Sequence, residues 1–119
     1  MRKTLLAFLL FALSAAAMDL TGRWWGEAVT NGEAHPVYIS LLQQGTTLTG
    51  TGGPSPTDQD VVQHGKIEGN KVAFDVVPGG RSPLHFELTN DGDRLNGTVQ
   101  VTRNGQIVTG KVSLRKRSN

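Results

Sequence analysis

The sequence predicts an all-β fold, an antiparallel up-and-down β-barrel of about eight strands. Three observations lead there. Apolar and polar residues alternate with a period of two through most of the chain beyond residue 20; turn-forming residues separate nearly every pair of alternating segments; and an apolar residue recurs two positions before a glycine. No 3.6-residue periodicity long enough for a helix interrupts the pattern.

The alternating segments are 23–30, 36–44, 47–53, 61–68, 71–77, 84–89, 94–102 and 107–115. Between them lie Asn31-Gly32, Gly45, Gly69-Asn70, Pro78-Gly79-Gly80, Asn90-Asp91-Gly92-Asp93 and Asn104-Gly105, residues that accept positive φ or tight hairpin geometry. Only 54–60, PSPTDQD, reads as a longer loop. Val37, Ile39 and Leu41 share one face of their strand. So do Val72, Phe74 and Val76, then Leu84, Phe86 and Leu88, then Leu95, Val99 and Val101. A flat meander with one apolar face would leave that face and two edges open to aggregation, whereas closure buries the face and removes the edges.

The triplets Leu20-Thr21-Gly22, Leu48-Thr49-Gly50, Leu95-Asn96-Gly97 and Val108-Thr109-Gly110 place each glycine on the same face as an apolar residue. Glycine weakens a strand interior, so its recurrence points to barrel corners or close approach of walls; simple abundance near turns is the alternative.

Residues 1–17 have the layout of a secretory leader. Arg2 and Lys3 precede an apolar run over 5–13, and Ala15 and Ala17 flank Ala16. The run is shorter than the roughly 20 residues that span a bilayer. The expected division is a signal peptide at 1–17 and a single β-barrel domain at 18–119, periplasmic or secreted. The chain carries 12 Lys and Arg against 10 Asp and Glu, but two of the bases lie in the leader, so 18–119 balances ten against ten. Arg115, Lys116 and Arg117 form a short basic tail, without the basic face and interleaved aromatics of a nucleic-acid site. With no cysteine, the chain has neither disulfide staples nor the lipid-carrying residue of a lipoprotein, so no membrane attachment is expected after leader removal.

The only two tryptophans stand together in LTGRWWG, residues 20–26. Gly22-Arg23-Trp24, opening the first strand of an exported meander, resembles the G-x-W motif of lipocalins and their calycin relatives, the avidins included. The resemblance implies a small lipocalin-like exported bacterial barrel in which Trp24 plugs one end and a base from the last strand, Arg115 or Arg117, covers its ring. Trp25 then points outward by alternation. The helix before the last strand and the T-D-Y-type motif of lipocalins are absent, and so are the dispersed tryptophans that line the biotin site of avidins.

No catalytic constellation emerges. His85 and Glu87 lie on the polar face of one strand and Asp75 on that of another; His35 and His64 lack metal-ligand spacing. G-x-S-x-G, P-loop and HExxH motifs are absent, and no enzyme activity, metal or cofactor is expected. Two readings remain. In the first, the barrel interior holds a small apolar molecule against Trp24, Val37, Ile39, Leu41, Phe74, Phe86, Leu88 and Val99, with 54–60 and 78–82 around the mouth. In the second, the barrel is filled and presents Trp25, Tyr38, Leu42, Val62 and Val77 to a protein partner, as small exported barrels that inhibit metalloproteases do. An eight-stranded barrel has room for either.

Overall fold

The computed structural model describes residues 19–79 and 81–117. The leader predicted at 1–17 lies outside them. Eight strands follow in chain order: β1 (Gly22–Thr30), β2 (Glu33–Gln44), β3 (Thr47–Ser55), β4 (Asp58–Glu68), β5 (Lys71–Val76), β6 (Leu84–Asp91), β7 (Arg94–Arg103) and β8 (Gln106–Lys116). Each pairs antiparallel with its chain neighbours, and β1 also pairs with β8, which closes the barrel. Closure gives every strand two partners, so no edge is left with unpaired backbone groups.

The strands run a few residues beyond several of the predicted ends, because hairpin pairing continues to the turn. The clearest correction is at 54–60. Ser55 pairs with Asp58, so the connection is the two-residue turn Pro56-Thr57 rather than a long loop. Proline and polar residues suggested a loop, but ladder bonds formed on both sides override that local preference. The longer connection is 77–83, between β5 and β6.

The recurrent glycines are points of close approach between adjacent strands. A Cβ on Gly26 would strike the Ser113 carbonyl, one on Gly50 the Ser40 carbonyl, and one on Gly97 the Glu87 carbonyl. Strands of a small barrel coil strongly, and at these crossings the neighbour's backbone occupies the space a side chain would need.

One end of the barrel is plugged. Trp24 is 1% exposed, and its indole N–H donates to the Leu20 carbonyl at 2.9 Å. Leu20 precedes β1 and lies across the barrel end, itself 3% exposed, held where its N–H donates to Gln43 Oε1 at 2.8 Å. The cation over Trp24 is Lys116, with Nζ 5.8 Å from the ring centroid, rather than Arg115 or Arg117. Register explains the correction: Trp24 pairs with Lys116, and cross-strand partners share a face. Arg115 pairs with the outward Trp25 and stacks on that ring at 5.3 Å. Lys116 Nζ also donates to the Asp19 carbonyl at 3.0 Å, tying the two termini of the barrel together.

Truncating Trp24 to alanine removes the plug and the indole bond together, and is expected to cost about 3–5 kcal/mol in chemical denaturation. Gly97→Ala should destabilise by about 1–3 kcal/mol, since its new methyl group meets a backbone carbonyl that cannot rotate away. Gly32→Ala, where a Cβ meets no atom within 4 Å but φ is +80°, provides the comparison for backbone strain without crowding.

Candidate functional site

The eight inward apolar residues predicted to line the interior divide into two groups. All eight belong to one buried core, between 1% and 9% exposed, and Trp24, Leu41, Phe74 and Leu88 lie away from the open end of the barrel. Val37, Ile39, Phe86 and Val99 line a cup of about 850 Å3 at the opposite end. The interior is packed around Trp24 and opens into this cup at the other end. Phe86 marks the boundary: its ring stacks on Phe74 with centroids 5.0 Å apart and planes 21° apart, so one ring is core and the other is floor.

Strand direction decides which end is open. The cup lies where β1, β3, β5 and β7 end and β2, β4, β6 and β8 begin, among the connections Asn31-Gly32, Pro56-Thr57, 77–83 and Asn104-Gly105. Ala28, Val76, Leu84, Val101 and Val108 complete its apolar wall. Small residues on β1 and β3, Ala28 and Gly52, keep the upper walls thin. A Cβ on Gly52 would come within 3.2 Å of Val76 and 3.3 Å of Ile39, so those side chains would have to give by a few tenths of an ångström to admit one. Both segments predicted around the mouth contribute, through Pro54, Asp58 and Asp60 on one side and Pro78, Arg81 and Ser82 on the other.

Two features were hidden in the sequence because β4 changes parity. Between Gln63 and Lys66, β4 holds one more residue than β5 opposite it, and His64 has a φ of +57°. A residue in that conformation followed by Gly65 is a β-bulge. Above the bulge the even-numbered residues face inward; below it the odd-numbered Gly65 and Ile67 are the less exposed ones. Val62, expected on the outer face, is thus 5% exposed in the core, while Val61 is 59% exposed. The same switch turns Asp60 inward. Asp60 pairs with Gly52, which faces the cup, and is half-buried among the cup's lining residues. Adjacent valines at 61 and 62 left the parity ambiguous; the glycine at 65 within a strand was the available signal.

The bulge also gathers polar residues on the outer surface. Asp75 bonds two histidines, His64 through Nδ1 at 2.9 Å and His85 through Nδ1 at 2.6 Å, and His85 Nε2 lies 3.0 Å from Glu87. His85, Glu87 and Asp75 do face outward, as alternation predicted, but they form one network with His64, which the bulge brings into reach. The network lies on the wall outside the cup, and none of its members lines the cavity. Among the described residues no group of three acidic, histidine or cysteine side chains is arranged to hold a metal ion.

The bonds to Asp75, and next to Glu87, raise the His85 pKa above its ordinary value, outweighing partial burial that lowers it. Partial burial pushes Asp75 upward, yet the bonds from His85 and His64 prevail and its pKa is lowered. A raised histidine value stabilises the fold fully below its unfolded value of about 6.5 and ceases to do so as pH rises through the folded value. A lowered aspartate value stabilises above about 3.9, and that contribution is lost as pH falls through the folded value. Unfolding free energy should therefore be higher near pH 5.5 than near pH 8. Asp75→Asn should flatten that slope while leaving the cup intact, which denaturation midpoints at the two pH values will measure.

Comparison with protein families, curated proteins and solved structures finds no match for this chain.

Proposed function

We propose that this is an exported binding protein that carries one small, mainly apolar molecule in the cup at the open end of its barrel. The observation that carries the reading is the cup itself, about 850 Å3 walled by inward Val, Ile, Leu and Phe side chains. Ligand sites are concave, mostly apolar and roughly 300–1,000 Å3 in volume, with a few polar groups that fix orientation. A barrel that served only as a rigid scaffold would gain stability by filling that space, as the core around Trp24 is packed. The hydrophobic leader at 1–17 supports export.

The Trp24 plug with its covering base supports the lipocalin-like resemblance, and in this reading the plug serves as the base on which an open cup is built. The polar outer faces of the strands support a barrel that works in water, since barrels in lipid turn their apolar residues outward. The reaction-bearing groups near the mouth are dispersed, which supports binding over catalysis.

A neutral fluorescent apolar probe such as N-phenyl-1-naphthylamine should bind at one site per chain, with Ala28→Phe lowering the affinity at least tenfold. Ala28 lines the cup but is 7% exposed within the core, so a phenyl ring there takes up cup volume and should also cost about 1–3 kcal/mol of stability through overpacking. Stoichiometric binding that is unchanged by Ala28→Phe would place the probe elsewhere and remove the support for the cup. Native mass spectrometry of protein purified from its own host should show a released mass when the chain is unfolded.

A further inference from the structure

The reading of the cup as a ligand site can be taken one step further, to the chemistry of the ligand. Asp60 is an acid turned into the cup by the bulge at His64, and among the described residues none of the basic side chains that line the cup, His35, Arg81 and Arg103, is ion-paired with it. On β3 it pairs with Gly52, whose lack of a side chain leaves the carboxylate open toward the cavity. Two residues along β4 on the same face is buried Val62, and Val62 pairs with Val76 of β5. Counting round the closed barrel, β8 lies opposite β4, and its contribution to the wall is Val108.

The hairpin that carries Asp60 is braced from the outer side. Gln59 Nε2 donates to the Tyr38 carbonyl at 3.1 Å and to the Ser55 carbonyl at 2.7 Å, and Gln59 Oε1 accepts from the Thr51 hydroxyl at 2.9 Å. Two neighbouring strands, β2 and β3, thus hold the residue preceding Asp60, which braces the strand from which Asp60 projects. None of the ion pairs among the described residues involves Asp60. The basic side chains that line the cup, His35, Arg81 and Arg103, are all exposed to water, and His35 Nε2 lies 3.2 Å from the Thr30 hydroxyl.

A half-buried carboxylate at the edge of an apolar wall, with no ion pair in the protein, is free to form a charge-assisted hydrogen bond with a ligand cation. We infer that the ligand is a cationic amphiphile, an apolar body seated on Phe86 with an amine or comparable cation bonded to Asp60. Val37, Ile39 and Val99 surround the body, and the charged group lies near the rim, where it need not be fully dehydrated.

Three probes with the same tail, dodecylamine, dodecanoate and dodecanol, separate this inference from the reading it rests on. Isothermal titration of the full barrel domain below the aggregation concentration of each should give dodecylamine an affinity about tenfold or more above dodecanol, the scale of one charge-assisted hydrogen bond. Asp60→Asn should abolish that preference, so that amine and alcohol bind with affinities within about twofold of each other, with the denaturation midpoint unchanged. The amine's advantage should also shrink as salt is raised. Arg81→Gln should leave the preference in place or increase it. Equal affinities for amine and alcohol, or a preference that survives Asp60→Asn, would overturn the inference and leave the cup as an apolar site. A preference for dodecanoate that Arg81→Gln or Arg103→Gln removes would overturn it in favour of an anionic headgroup. Failure of all three probes to bind would overturn the ligand-site reading itself.

Discussion

Everything in this molecule depends on the pairing of β1 with β8. That ladder turns a meander with one apolar face into a closed surface with an inside, and it is made from the two ends of the chain, which must find each other across nearly a hundred residues. The constraint explains why stabilising contacts concentrate at that seam. Trp24 and Lys116 pair across it on the inner side, Trp25 and Arg115 on the outer side, and the Arg117 N–H donates to the Arg23 carbonyl at 2.7 Å just beyond it. With no disulfide to hold the ends, packing, hydrogen bonds and two cation–π contacts must do so.

Closing a sheet this narrow has a steric consequence that the glycines absorb. Each crossing where a neighbour's carbonyl approaches an inward position requires a residue without a side chain, and Gly26, Gly50, Gly65 and Gly97 stand at such points. Their distribution also shapes the interior. The core is built from large side chains, Trp24, Phe74, Leu95 and Leu114 among them. Toward the open end smaller residues, Ala28, Val37, Gly52 and Val99, are among those that line the cup.

The bulge at His64 connects the outer surface to the inner one. By adding a residue to β4 it brings His64 to Asp75 outside and turns Asp60 and Val62 inside. One irregularity thus sets both the polar network on the wall and the charge of the proposed site. The network anchors the bulge, since Asp75 on β5 and His85 on β6 hold His64 from the neighbouring strands. Bulges beside binding sites commonly re-aim a side chain in this way.

Alternation by itself determined the fold class, most of the strands and the inward set on β2, β5, β6 and β7, because period-two patterning is a local property written residue by residue. The G-x-W resemblance set Trp24 inward, and alternation then turned Trp25 out. Extending the same count along Val112 and Leu114 would have placed Lys116 under Trp24, so that correction was within reach of the sequence. Three things were decided only by tertiary structure. The ladder overrode the loop-like composition of 54–60; the bulge reversed the parity of β4 and so the direction of Asp60; and packing across the barrel decided which end closes around Trp24 and which opens into the cup. Each depends on pairs of strands or on distances across the barrel, and neither is encoded in the order of residues along any one strand.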